Sequence, residues 1–220
     1  MKLKTAIIAG ATGLVGKELL QNLLDNKNYE KVISIVRRKT SLNHPKLEQK
    51  IIDFDNLDEI ASELEADDFF CCLGTTMKKA GSKEKFADVD YLYPVNLATI
   101  AQANNAKKYL LISAMGADKK SIIFYNKVKG EVEEDISKKN IEAIYIFRPS
   151  LLTGDREEER IGEKIAIRVL KPLSKLMKGP LKKYKPIHAK EVASGMVNMA
   201  QKNLKGVHII QSEDIKALLK

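Results

Sequence analysis

The sequence predicts an α/β protein with a doubly wound parallel sheet, helices on both faces and a small C-terminal lobe. Short apolar runs alternate with longer amphipathic ones, several short runs are almost entirely apolar, and the alternation ends near residue 149. Nearly continuous apolar runs are typical of parallel strands that helices cover on both faces. We therefore expect one domain over residues 1–220, in which residues 149–220 contribute a lobe on the substrate side.

Six short apolar runs are the predicted strands, and four amphipathic segments between them are the predicted helices. The strands are Thr5–Ala9, Val32–Val36, Gln49–Ile52, Asp68–Cys72, Tyr109–Ser113 and Ala143–Phe147. The helices are Leu14–Asn26, Leu57–Leu64, a segment within Tyr91–Asn104, and Asn126–Lys138. For the lobe we expect helices near Glu163–Met177 and Lys190–Gln201, a strand at Val207–Ile210 and a last helix.

The net charge of +9 and the two cysteines narrow the classes of partner. The Lys and Arg residues are scattered, with no long basic run, so we expect a solvated surface and no nucleic-acid partner. No apolar stretch is long enough to span a membrane, so we expect no membrane partner. Cys71 and Cys72 are adjacent, so a disulfide between them would be strained. Two cysteines are also too few ligands for a metal site. We therefore expect reduced thiols, no metal and a cytoplasmic protein.

Three glycines directly follow the first predicted strand and lead into the first helix. Gly10 permits a tight turn, Gly13 lets the main chain approach a pyrophosphate, and Gly16 lets helix and strand pack closely. The helix N-terminus offers free N–H groups and the positive end of its dipole to phosphates. We therefore expect a Rossmann-like dinucleotide site. Its predicted contacts are Gly10, Thr12, Gly13, Leu14, Val15 and Gly16.

The second strand ends in Arg37-Arg38, where NAD binders usually carry Asp or Glu for the ribose hydroxyl. Arginine suits a 2′-phosphate instead, through charge-assisted hydrogen bonds. The sequence thus predicts NADP(H) as the cofactor. Asp53 and Phe54, after the third strand, could hold the adenine edge, although Asp53 could equally cap the next helix.

Ser113, Tyr125 and Lys129 are the candidate catalytic residues. Tyr125 and Lys129 lie four residues apart at the start of a helix and share one face, and Ser113 ends the preceding strand. Open α/β sheets bind ligands at the carboxyl ends of their strands. A nearby ammonium lowers the pKa of a tyrosine from its unperturbed ~10, which makes the phenol a usable general acid. Ser113 could hydrogen-bond the substrate oxygen.

The chain resembles the atypical short-chain dehydrogenase/reductases, and more narrowly the Tat-interacting-protein family of oxidoreductase-like proteins. The resemblance is carried by the segments above and by Cys71-Cys-Leu-Gly-Thr-Thr76, Val89-Asp90, Gly116-Ala-Asp118, Lys129-Gly-Glu-Val-Glu133 and Phe147-Arg-Pro149. It implies a Rossmann fold, NADPH binding and a Ser–Tyr–Lys triad. It also implies that Leu73, Gly74 and Thr75 line the cofactor, and that Pro149, Leu151 and Leu152 lie near the nicotinamide.

The function expected from these residues is NADP(H)-dependent reduction of a small carbonyl compound by hydride transfer. The alternative is an NADP(H)-binding regulatory or redox-sensing scaffold without a physiological substrate, since the resembling family includes members described as regulatory. Two further residues keep open roles: Asn96 as support for a proton relay, and His188 as a catalytic or a structural histidine. A homodimer or a protein partner also stays open.

Overall fold

The protein is described by a computed structural model over residues 3–154 and 184–219. Its strands are β1 (Lys4–Ala9), β2 (Tyr29–Val36), β3 (Leu47–Ile51), β4 (Asp68–Cys71), β5 (Lys108–Ile112), β6 (Ala143–Arg148), β7 (Leu152–Thr153), β8 (Ile187–His188) and β9 (Gly206–Gln211). Seven of them form one sheet in the order β3-β2-β1-β4-β5-β6-β9, in which every neighbouring pair is parallel. β7 and β8 form a separate parallel pair.

Helices connect these strands and cover both faces of the sheet. They are α1 (Leu14–Asp25), a 3₁₀ segment (Phe54–Glu63), α2 (Met77–Ala80), α3 (Lys83–Ala87), a π segment (Asp88–Leu92), α4 (Tyr93–Ala103), α5 (Phe124–Ser137), α6 (Ala189–Ala200) and α7 (Ser212–Ala217). No helix within these described ranges is long and apolar enough to cross a bilayer.

Alternate residues of each central strand face opposite layers, because successive side chains of a strand point to opposite sides. Ile8 and Phe70 pack in one core with α1, α6 and α7. Ile7 and Phe69, their neighbours along the same strands, pack in the other core with α4 and α5. Helices therefore exclude water from both faces of the sheet, which explains why these strands are almost entirely apolar.

The fold class predicted from the sequence is confirmed, and each of the six predicted strands is present with ends shifted by at most a few residues. The segment predicted as a helix over Leu57–Leu64 is 3₁₀ instead, with a kink at Asn56. The sequence did not predict α2, α3 or the π segment. These are short elements stabilised by local caps such as the Thr76 and Ser82 side chains.

The described residues of the C-terminal part pack into the α/β layers. β9 extends the main sheet by pairing with β6 from Ala143↔Gly206 to Arg148↔Gln211. α6 packs against α1, with Met196 fully buried in their shared core. The described residues after 184 thus complete the α/β layers, while the predicted helix near Glu163–Met177 lies outside the described residues.

Candidate functional site

Every candidate site segment lies at the carboxyl edge of the parallel sheet. Gly10 follows β1, Arg37 follows β2, Asp53 comes two residues after β3, and Ser113 follows β5. The strand order reverses between β1 and β4, where the chain connections lead away in opposite directions. Such a switch point opens a crevice at the carboxyl edge, the usual ligand position in open α/β sheets.

The glycine turn is built so tightly that no side chain fits at two of its positions. Gly10 has φ +84, and a Cβ there would lie 2.5 Å from the Cys72 carbonyl oxygen. A Cβ on Gly16 would lie 2.0 Å from the Gly10 carbonyl oxygen. Gly13 donates its N–H to the Gly10 carbonyl at 3.0 Å and stands at the N-cap of α1.

The N-terminus of α1 is open to an anion. Gly13 supplies no side-chain cap and the first turn contains no acidic residue, so no carboxylate competes for its N–H groups. Thr12 and Gly13 are exposed, while Val15 and Gly16 are buried and offer a ligand only their main chain. These features fit a pyrophosphate group.

Arg37 and Arg38 are exposed directly after β2, beside β1 and the glycine turn. Within residues 3–154 and 184–219, no ion pair or hydrogen bond of either guanidinium is observed. Two arginine side chains at this edge therefore offer their donors to an anion such as a 2′-phosphate.

Asp53 and Phe54 follow β3, and the structure separates their roles. The Asp53 carboxylate accepts from the Asp55 N–H at 3.4 Å and so caps the 3₁₀ segment, the alternative left open by the sequence. Phe54 is buried and stacks on Tyr93 with ring centroids 5.5 Å apart. The Phe54 ring therefore packs in the core, and only its main chain can meet a ligand, so the adenine contact stays a prediction.

The loop after β4 is held against α5 by a buried carboxylate. The Thr75 N–H donates to Asp90 Oδ2 at 2.7 Å, and Lys129 Nζ contacts Asp90 Oδ1 at 2.8 Å. Leu73 packs against the core, and a Cβ on Gly74 would lie 3.5 Å from Asp90 Oδ1. The predicted cofactor segment 73–75 and the predicted catalytic lysine thus share Asp90 as a partner.

Lys129 is buried and charged because it is paired. Its side chain is 5% exposed and that of Asp90 is 1% exposed. Burial opposes the charged form, but Asp90, followed by Tyr125, outweighs burial and raises the pKa of Lys129. Lys129 is therefore a fixed positive charge at neutral pH, held at one position by a carboxylate that the sequence did not identify as a site residue.

Tyr125 lies in the first turn of α5, one turn before Lys129. It is 38% exposed, and its ring packs edge-on against Phe86 with centroids 5.9 Å apart. The i, i+4 spacing puts both side chains on one face of the helix, as predicted. The phenol is therefore accessible from solvent beside a buried ammonium.

Ser113 has a partner that the sequence analysis missed. Its hydroxyl donates to Glu133 Oε1, and Ser113 and Glu133 are both buried. Arg148 Nε contacts the two Glu133 carboxylate oxygens at 3.0 and 3.1 Å, and Arg148 Nη2 contacts Oε2 at 2.5 Å. A sequence signal existed for Glu133, which follows Tyr125 and Lys129 at intervals of four residues. For Asp90 the signal was its place in the Val89-Asp90 segment of the family resemblance.

The chain after β6 returns toward the glycine turn. The Pro149 carbonyl accepts from the Met115 N–H at 3.1 Å, and the Leu151 carbonyl accepts from the Ile187 N–H at 3.0 Å. Leu151 and Leu152 are half-buried. A Cβ on Gly154 would lie 3.0 Å from Leu14 Cδ1. The predicted segment 149–152 therefore leads to the start of α1, near the predicted phosphate site.

His188, Asn96 and the cysteines lie in different surroundings. His188 Nδ1 accepts from the Lys190 N–H at 3.2 Å, and Glu191 accepts from the His188 N–H, which forms a capping box for α6. Asn96 is exposed on α4. Cys71 and Cys72 are free thiols whose pKa values burial raises, so both stay protonated and are poor nucleophiles. Among the described residues, no cluster of metal ligands is found.

Comparisons with known proteins agree with this geometry. A family described as NAD(P)H-binding matches residues 10–202. Protein HTATIP2 of Rattus norvegicus is 40% identical over 170 residues, which cover 76% of this chain and 70% of that protein. The mitochondrial Protein FMP52 of Candida albicans is 31% identical over 227 residues and 97% of each chain.

Solved structures share the fold at low sequence identity. A UDP-N-acetylglucosamine 4-epimerase from Methanobrevibacter ruminantium M1 superposes with a TM-score of 0.70 at 15% identity, covering 96% of this chain and 77% of the epimerase. MoeE5, solved with UDP-glucose and NAD, gives a TM-score of 0.70 at 13% identity, covering 94% of this chain and 75% of MoeE5.

Proposed function

Because the chain belongs to the NAD(P)H-binding, atypical short-chain dehydrogenase/reductase family that includes Protein HTATIP2 and Protein FMP52, we propose that it is an NADPH-dependent reductase of a small carbonyl compound. The observation that carries the proposal is that Tyr125, which is 38% exposed, lies one helical turn from the buried ammonium of Lys129. Ser113 lies at the same edge, directly after β5.

The chemistry divides between the cofactor and the chain. Bound NADPH supplies the hydride that reduces the carbonyl carbon. Tyr125 gives its phenolic proton to the carbonyl oxygen, and solvent returns a proton to the phenolate afterwards. Lys129 stabilises that phenolate electrostatically, because it lies one helical turn away and remains charged.

The cofactor preference is a separate part of the proposal. Arg37 and Arg38 support NADP(H) over NAD(H), because a guanidinium binds a 2′-phosphate and no carboxylate stands at the end of β2 to repel it. A cytoplasmic location stays a prediction from the sequence, and the fungal relatives are named as mitochondrial.

The first experiment replaces Tyr125 by Phe and measures NADPH oxidation with a panel of aldehydes, ketones and quinones. We expect turnover to fall by at least a factor of about 100, while NADPH binding stays within about twofold, because the phenol transfers the proton and does not hold the cofactor. Tyr91→Phe is the matched control, since Tyr91 bonds Asp135 outside the site. Undiminished turnover in Tyr125→Phe would rule out this role.

The second experiment combines Arg37→Glu with Arg38→Ala and compares the affinities for NADPH and NADH. We expect the NADPH preference to fall by about 100-fold or to invert, because a carboxylate at the end of β2 repels a 2′-phosphate and accepts from a 2′-hydroxyl. Lys39→Ala tests whether loss of any nearby positive charge has the same effect. If the preference is unchanged in the double variant, the arginines do not select the cofactor.

A scaffold or redox sensor that binds NADP(H) without turnover is the second candidate. The favouring observation is size, since this chain covers only 77% of a solved epimerase of the same fold. A kcat/KM of ~10⁴ M⁻¹s⁻¹ or above for any carbonyl probe would argue against a pure sensor, because that value lies in the common enzyme range. Inactivity with the whole panel, together with tight NADPH binding, would favour the sensor.

A further inference from the structure

Ser113 and two further side chains, each from a different element, form a largely buried polar cluster. Ser113 follows β5, Glu133 lies on α5, and Arg148 ends β6. Ser113 is 5% exposed and Glu133 is 4% exposed. Arg148 holds the Glu133 carboxylate with three contacts between 2.5 and 3.1 Å.

The serine has only one proton, and the cluster determines where it points. A carboxylate paired with arginine is an acceptor only, so the bond between Ser113 and Glu133 uses the hydroxyl proton of Ser113. Hydrogen bonds to a charged acceptor are about twice as strong as bonds between neutral groups. In the resting protein the Ser113 proton therefore faces Glu133, and the hydroxyl is fixed in one rotamer.

Glu133 does not need Ser113 to satisfy its charge. Arg148 contacts both oxygens of the carboxylate, so Glu133 keeps its main partner when the serine turns away. Glu133 also lies one turn after Lys129, on the helix face that carries Tyr125. One helix face thus positions the phenol, the ammonium and the group that holds the serine.

We propose that Glu133, held by Arg148, is a positioning residue that fixes the Ser113 hydroxyl before substrate binds. Its catalytic consequence rests on the proposed reductase function. When a carbonyl oxygen arrives, the Ser113 proton turns from Glu133 to that oxygen. The Glu133 carboxylate stays paired with Arg148 after the serine has turned away. The Ser113 Oγ keeps the position that Glu133 gave it, so only the O–H bond has to rotate before the serine donates to the oxygen.

The test compares two double variants that both remove the buried ion pair. Glu133→Gln with Arg148→Met keeps an acceptor for the Ser113 proton, whereas Glu133→Leu with Arg148→Met removes it at similar volume. Replacing a buried ion pair by apolar side chains is often tolerated, so both proteins are expected to fold. With NADPH and either phenanthrenequinone or benzaldehyde, we expect kcat of the Leu–Met variant to be about tenfold below that of the Gln–Met variant, with equal NADPH affinity.

The same pair of variants in a Ser113→Ala background separates positioning from general stability. If Glu133 acts through Ser113, the tenfold ratio disappears there, because the group to be positioned is missing. A ratio that persists without Ser113, or equal kcat in the two original doubles, overturns the proposal. Glu134→Gln is the matched control, because Glu134 is the neighbouring acid and pairs with Lys119 at the surface.

A readout without turnover distinguishes failure of this inference from failure of the proposed function. If the wild type reduces no member of the carbonyl panel, the reductase proposal fails, and proton NMR of the Ser113 hydroxyl decides the positioning. We expect a slowly exchanging hydroxyl resonance in the wild type and the Gln–Met variant, and its loss in the Leu–Met variant and in Ser113→Ala. A resonance that survives in the Leu–Met variant, or one missing from the wild type, contradicts the proposal.

Discussion

Gly16 shows how one missing Cβ links the sheet to the candidate cofactor site. The position where a Cβ would stand lies 2.0 Å from the Gly10 carbonyl oxygen, which is main chain and has no flexible side chain to move. The same Gly10 carbonyl accepts the Gly13 N–H and so fixes the turn. Any side chain at Gly16 therefore has to displace the turn that would hold the pyrophosphate.

Gly16→Ala is expected to destabilise the fold by about 3 kcal/mol and to weaken NADPH binding by more than tenfold, because overpacking here moves the main chain. Thermal unfolding and fluorescence titration with NADPH measure the two effects. Gly206→Ala is the control, since its φ of +85 strains an alanine but a Cβ there meets nothing within 4 Å. Unaltered NADPH affinity in Gly16→Ala would contradict the assignment of the turn.

At the scale of elements, α5 shows what the sequence could predict and what it could not. Helical spacing alone placed Tyr125 and Lys129 on one face, and the structure has them there. The partners of that face, Asp90 and Arg148, come from elements far away in sequence. Their contacts depend on how α5 packs against the π segment and β6, which periodicity within one segment does not determine.

At the N-terminus of α6, His188 has a capping role that can be tested against a catalytic one. The imidazole caps the helix, so His188→Ala is expected to cost about 1 kcal/mol of stability and to leave kcat within about twofold. His188→Asn keeps a capping acceptor and should lose less. Chemical denaturation and steady-state kinetics test this. A large loss of kcat at unchanged stability would assign His188 to the reaction.

At the scale of the whole molecule, a polar cluster joins the sheet at the edge opposite the candidate site. Lys4, Tyr29, Asp68 and Lys108 begin β1, β2, β4 and β5, which are adjacent in the sheet. Tyr29 and Lys4 donate to Asp68 Oδ2 at 2.6 and 3.1 Å, while Asp68 Oδ1 is buried and has no hydrogen-bond partner among the residues that the structure describes. Burial is the main cause that raises the pKa of Asp68.

This cluster predicts a loss of stability at alkaline pH. Burial, and then the nearby Asp68, raise the pKa of Tyr29 above its ordinary value. Folding therefore favours the protonated phenol, so its contribution is complete below about pH 10 and is lost as the pH rises further. Tyr29→Phe should unfold with about 1–3 kcal/mol less stability at pH 7, because Asp68 loses a donor, yet show a flatter decline above pH 10. Equal slopes for both proteins would contradict this.

The parallel direction of the strands was largely predictable, since nearly continuous apolar runs separated by helices leave few alternatives to a parallel sheet. The position of β9 was not. Its residues are exposed or half-buried except Ile210, so the apolar pattern is weak, and its place beside β6 follows from the packing of α6 on α1. A strand with a weak apolar pattern can be assigned to its place in the sheet only when the position of the preceding helix is known.

The parallel pair of β7 and β8 has a consequence for how such proteins can diversify. Leu152 pairs with Ile187 and Thr153 with His188, so the chain leaves and re-enters the described fold at neighbouring points. Evolution or a designer can therefore exchange or lengthen the residues between Gly154 and Tyr184 as one cassette, because the entropy of closing a chain between two anchored ends rises only slowly with its length. The parallel sheet would be inherited intact through such an exchange.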